Sequence, residues 1–245
     1  MKIINPRHLQ LLKLIDQSKS NCKPTDTVWV QKYLGSNKTF HGFSSHQMSL
    51  LVKTFLNDNK LDKSQTIKLL NSLYQNGTTY TEIALAAMIL PHTPLIKSFD
   101  PKQLNLWLNY THGWAENDVL CQSNFSSDTL LSNWDNWQKI LKEFNKSPSI
   151  NKRRASLVLL TKSLRQSDDF RLSKITFENI DNLKSEKEIL ITKAVSWALR
   201  ALVKFHKDKV LEYLQNYKDT LPKIAYRETL SKALTGKKYV NKSKT

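Results

Sequence analysis

The chain of 245 residues carries 38 Lys and Arg against 21 Asp and Glu, a net charge of +17, and 40% of it is hydrophobic. That length suits one large domain or two small ones with a buried core, and five glycines and seven prolines are too few for a sheet protein rich in tight turns. No run of about 18 apolar residues exists to span a membrane, and Cys22 and Cys121 lie far apart without metal or redox spacing.

Helical periodicity runs through the chain from its start. The opening "MKIINPRHLQLLKLIDQ" mixes charges into an amphipathic helix and lacks the apolar stretch of a signal peptide. In "HQMSLLVKTFLND" Met48, Leu51, Val52 and Phe55 recur at i, i+3, i+4 and i+7, and "SQTIKLLNSLYQNG" repeats the arrangement before an Asn-Gly stop. The pattern returns in "TEIALAAMIL", "PKQLNLWLNYTHGW", "TLLSNWDNWQKILKEF", "KRRASLVLLTKSLRQ", "EKEILITKAVSWALRALVKF", "KDKVLEYLQNY" and "AYRETLSKAL". These segments predict an all-α protein of about ten helices. Helix pairs spaced by about 35 to 45 residues have the degenerate look of a HEAT-like α-solenoid, with an irregular helical bundle as the alternative. The expected organisation is a single repeat domain over residues 1–235 and a basic flexible tail over 236–245.

The positive charge points to a polyanionic partner, unless AT-rich coding has simply inflated Lys, Asn and Ile together. It is concentrated toward the end of the chain: residues 151–245 hold 22 basic and 10 acidic side chains, residues 1–150 hold 16 and 11.

Three constellations stand out. Trp107, Trp114 and Asp118 share one helical face if the helix runs unbroken through Gly113, and Trp114 and Asp118 lie one turn apart in either case. By spacing alone such a pair reads as core packing and a first-turn dipole partner as readily as chemistry. Trp197 is flanked by Lys193 and Arg200 at i−4 and i+3, which suits either an anionic ligand or an amphipathic helix with snorkelling cations. Lys152, Arg153 and Arg154 open an apolar helix, where the helix dipole disfavours cations; a ligand supplying negative charge would explain them, and so would a capping accident. The six histidines form no metal-binding spacing, and no phosphate-binding loop, dinucleotide fingerprint or nucleophile elbow occurs. No cofactor or metal is expected.

The motifs "YLGSNKTFHGFSSHQMSLLVK" (33–53), "GWAENDVLC" (113–121), "RRASLVLL" (153–160) and "KAVSWALR" (193–200), in this order, resemble the AlkD-like DNA alkylation repair proteins over about residues 25–235. The resemblance implies an α-α superhelix of HEAT-like repeats, curved into a solenoid whose concave face holds duplex DNA. It further implies an enzyme that excises N3- or N7-alkylated purines without a deep base-flipping pocket. Carried over by motif, Asp118, Trp114 and Trp197 become the catalytic residues and Arg154 and Arg200 DNA contacts, with Lys152, Arg153 and Lys193 beside them.

On that reading Asp118 is exposed in the groove with Trp114 beside Trp197, and Trp107 belongs to the core. Three positions depart from the family pattern: His46 and Ser49 stand where a proline and an arginine are usual, and Asn151 where an aromatic often precedes the Arg pair. The alternatives are a non-catalytic DNA-binding member of the same family and a helical protein-binding scaffold. The expected partner is double-stranded DNA with alkylated bases, the expected state a monomer, and the expected location the cytoplasm.

Overall fold

The computed structural model describes residues 4–22, 27–122 and 124–239. Among the described residues the chain is all-helical, with no strand beyond one isolated bridge between Thr39 and Thr79. It divides into two compact units, Met1–Leu120 and Cys121–Thr245.

The first unit comprises α1 (Pro6–Ser18), α2 (Thr27–Leu34), α3 (Ser45–Asp58), α4 (Lys63–Asn76), α5 (Tyr80–Ile89), α6 (Gln103–Trp107) and most of α7 (Gly113–Cys121). Its helix starts are written in the sequence. Ser44 with Gln47, Asp62 with Gln65 and Thr79 with Glu82 each form a reciprocal capping box opening α3, α4 and α5, satisfying amide N–H groups that a helix start otherwise leaves without partners. Helix α5 is buried almost all round and packs against α3 and α4. Beside it Trp107, fully buried, stacks on Tyr74 at 5.2 Å and donates its indole N–H to Asn71 Oδ1 at 2.7 Å.

One polar cluster lies inside this apolar core. His8 on α1 contacts Ser72 Oγ through Nδ1 at 2.9 Å and Glu82 Oε1 through Nε2 at 2.8 Å. The other oxygen of Glu82 accepts from the main-chain N–H and hydroxyl of Thr79. Fully paired, such a cluster avoids the desolvation cost of an orphaned buried charge and fixes the register of α1 on α4 and α5.

The second unit comprises α8 (Ser127–Leu131), α9 (Trp134–Asn145), α10 (Ile150–Val158), α11 (Leu160–Ser163), α12 (Phe170–Leu183), α13 (Ile189–Asn216) and α14 (Lys223–Thr235). Successive helices pack on each other, α9 on α10, α12 on α13 and, most extensively, α13 on α14. The 28-residue α13 joins two segments that the periodicity separates; its backbone leaves helical geometry at His206 (φ −127°, ψ 38°). Helix α12 is absent from the periodic segments above, because its inner face includes Ser173, Thr176 and Asn179 beside Leu172, Ile175, Ile180 and Leu183. Those polar positions are paired: Asn179 Nδ2 donates to the Ser156 carbonyl at 3.1 Å, and Asn145 Nδ2 to the Asn179 carbonyl at 3.1 Å.

Gly236 closes α14 in the left-handed conformation (φ 73°), after which Ser231 Oγ donates to the Lys237 carbonyl and Tyr239 OH to Glu228 Oε1 at 2.8 Å. Residues 236–239 therefore fold back on α14, and 240–245 lie outside the described residues.

Candidate nucleic-acid interface

The helix carrying Trp107 does not continue to Trp114. Helix α6 ends at Trp107 and α7 begins at Gly113, whose φ of +65° only glycine adopts readily. The three-residue face considered from spacing therefore does not exist, and Trp107 sits in the core while Trp114 and Asp118 ride on α7.

The start of α7 is clamped against the segment that follows α2. A Cβ built on Gly113 would lie 2.3 Å from the carbonyl oxygen of Gly35, itself at φ +66°, so the two backbones touch at a pair of glycines. One turn into α7, the fully buried Glu116 forms an ion pair with Lys38 (Nζ to Oε2, 2.8 Å) and accepts from the Ser36 hydroxyl and from the main-chain N–H of His112 at 2.9 Å. Lys38 Nζ also donates to the Tyr110 carbonyl at 3.0 Å. A buried ion pair is tolerable only when its remaining hydrogen-bonding capacity is used, and here it is used to tie residues 36–38 to α7.

This clamp positions the aromatic of the pair. Trp114 Nε1–H donates to the Tyr33 carbonyl at 2.6 Å, and its ring meets the Tyr33 ring edge-on at 5.4 Å. Trp114 stays partly exposed, but Asp118, expected in the open, is only 8% exposed. The physical reason is the depth to which α7 is packed: Ala115, Glu116, Asn117 and Asp118 are all buried. Tyr80, at the first position of α5, feels this cluster. Burial first, then the charges of Glu116 and Asp118, push its phenol above its ordinary range and hold it protonated. Tyr33, Lys38 and Tyr80 were not singled out by sequence patterns, because each is brought to α7 from a distant segment; nor was Glu116 on α7, whose partners Ser36 and Lys38 arrive that way.

In the second unit the predicted cations have different circumstances. Lys193 is exposed and Lys152 half-exposed, with burial pulling the Lys152 ammonium below its usual range. Arg153 is committed within the protein, paired with Glu186 at 2.8 Å and donating to the carbonyls of Ser147 and Pro148. Arg154 is only 4% exposed and donates to the Leu190 carbonyl, so its guanidinium joins α10 to α13. Trp197 is partly exposed on α13. One turn on, Arg200 Nε donates to Ser196 Oγ at 3.2 Å and lies 3.6 Å from Glu228, which also receives Ser196 Oγ at 2.6 Å and Tyr239 OH. Burial lowers the Arg200 guanidinium, with Glu228 working against it. The departures His46 and Ser49 are both exposed on α3, and Ser49 Oγ returns to the Ser45 carbonyl at 2.9 Å. Among the described residues no cluster of His, Cys, Asp and Glu is disposed to hold a metal ion, and no helix is long and apolar enough to cross a membrane.

The all-helical architecture of consecutively packed helices is that of a helical-repeat protein. The chain belongs to the DNA alkylation repair enzyme family, whose pattern it matches over residues 15–233. It is therefore a DNA repair enzyme by family, and DNA is its partner. Its fold is also that of a solved structure described as a predicted DNA alkylation repair enzyme from Enterococcus faecalis, at a TM-score of 0.71 and 18% identity, covering 87% of this chain and 97% of that one. Comparison with curated proteins gives no match.

Proposed function

We propose that the protein removes N3- or N7-alkylated purines from duplex DNA by hydrolysing the N-glycosidic bond. Such a base carries a positive charge, so the C1′–N bond is weakened and the base departs neutral, taking the bonding electrons with it. Positive charge then grows on the sugar. Asp118 stabilises it electrostatically and accepts the proton of the water that attacks C1′. Trp114 and Trp197 offer their negative ring faces to cationic lesion or sugar, worth about 0.5 to 2 kcal/mol each. Arg154, Arg200, Lys152, Arg153 and Lys193 are assigned to the DNA backbone, with Arg153 and Arg154 acting chiefly through the helix ends they hold.

The observation that carries this reading is the clamp on α7. The glycine contact and the buried Lys38–Glu116 pair hold Trp114 and Asp118 in one fixed geometry, and pre-organisation of that kind is what electrostatic catalysis requires. A second reading, a DNA-binding member without excision, is favoured by the near-complete burial of Asp118.

The test is release of 7-methylguanine from duplex DNA by the wild type and by Asp118→Asn. Release that drops by about two orders of magnitude in the variant supports the assignment. Equal release would remove Asp118 from the mechanism, and salt-sensitive duplex binding without release would favour the second reading.

A further inference from the structure

Trp29 and Tyr33 stand one turn apart on α2, their rings parallel (interplanar angle 2°, centroids 5.4 Å apart). Both are largely exposed, at 61% and 58%, and Val28 beside them at 74%. Tyr33 in turn meets Trp114 edge-on and accepts its indole N–H on the main-chain carbonyl. The three rings thus form a continuous line from the partly covered α7 pair out to solvent. The close contact of Gly35 with Gly113 and the Ser36–Glu116 bond fix the end of α2 on α7, so the line is held by the fold. Leaving two large, mutually stacked rings in water forgoes the free energy of burying them, and fold stability does not account for it.

We infer that Trp29 and Tyr33 form a stacking platform for an unpaired nucleobase of the DNA held against α7. The inference rests on the proposed function only in taking DNA as what α7 faces. Three features select a nucleobase over an apolar protein partner. The rings are parallel and open to solvent, where a protein hot spot would be a pocket. The platform is continuous with Trp114 on α7, and the exposed Lys32 on the same helix supplies a cation for the adjoining phosphate. Every base has an aromatic face, so the platform holds a base that has left the duplex beside the lesion without selecting its identity. Trp29 stands at the outer end of this line, and its part is DNA affinity.

The experiment compares the full chain and its Trp29→Ala and Trp29→Phe variants by fluorescence anisotropy, on a labelled duplex with one bulged nucleotide and on its fully paired counterpart at one salt concentration. Trp29→Ala should weaken binding to the bulged duplex about tenfold and to the paired duplex less than about twofold, with Trp29→Phe close to wild type. Equal effects on both duplexes, or none on either, would overturn the platform. So would a concentration-dependent dimer in sedimentation velocity that Trp29→Ala dissolves, since the rings would then serve a second copy of the chain. Trp29-dependent binding of the bulged duplex by a protein that releases no 7-methylguanine upholds the platform while the glycosylase reading fails. Wild-type protein that binds neither duplex removes both.

Discussion

The indole of Trp114 is held by the main-chain carbonyl of Tyr33, 81 residues earlier in the chain, through a 2.6 Å hydrogen bond. Its orientation is thereby set by the end of α2 as much as by its own helix. Replacing Trp114 by Phe keeps an aromatic face but removes the donor. Base release from a 7-methylguanine duplex should fall on the order of tenfold, with the melting temperature changed by only a few degrees. A rate equal to wild type would mean that the ring's orientation carries no part of the chemistry.

The glycine contact at the start of α7 makes a sharper structural prediction. Gly113 and Gly236 have similar positive φ values, 65° and 73°, but a Cβ on Gly113 would strike the Gly35 carbonyl while one on Gly236 meets nothing within 4 Å. Gly236→Ala should cost about 1 kcal/mol in urea unfolding, the backbone penalty alone. Gly113→Ala must also displace backbone and should cost at least about 2 kcal/mol more, together with loss of base release.

Removing one member of the buried Lys38–Glu116 pair strands the other in the core. Lys38→Met and Glu116→Gln should each destabilise the protein by about 3 to 5 kcal/mol, and the double variant by clearly less than their sum. Additive losses in denaturant titrations would show that the two charges do not act as a pair.

Glu228 gathers Ser196, Arg200, Lys238 and Tyr239, and so makes Arg200 sensitive to the end of the chain. Glu228→Gln should weaken duplex binding several-fold, and the same change in an Arg200→Ala background should add nothing further. An undiminished effect in that background would place the action of Glu228 elsewhere.

Acid should loosen the first unit through Glu82. Burial alone would raise its carboxyl, yet hydrogen bonds from His8 and Thr79 outweigh burial and hold it below the ordinary carboxylate range. A carboxylate lowered in the folded state contributes fully above its unfolded value, and that contribution is lost as pH falls through the folded one. Stability measured from about pH 7 down to pH 3 should therefore fall steeply at the acid end, and more shallowly in Glu82→Gln.

Much of the secondary structure was legible because it rests on local rules. The spacing of Met48, Leu51, Val52 and Phe55 depends only on neighbours within a turn or two; the capping boxes at Ser44, Asp62 and Thr79, which the periodicity did not single out, are equally local. Helix α12 was hidden where Asn179 and Thr176 occupy an inner face that periodicity expects to be apolar: the partners of Asn179 on α9 and α10 come from the tertiary fold, and Thr176 returns its hydroxyl to the Leu172 carbonyl of its own helix. The α7 pair was visible as Trp114 and Asp118; its surroundings were not.

By itself the sequence determined the all-helical class, the concentration of positive charge after residue 150 and the motifs that resemble a DNA repair family. Only the tertiary structure decided that Asp118 is largely covered and that Arg154 and Arg153 spend their hydrogen bonds inside the protein. It alone set Tyr33, Lys38 and Tyr80 around α7. Burial and pairing are properties of what approaches a residue from far along the chain, and a local pattern of residue types carries no record of that approach.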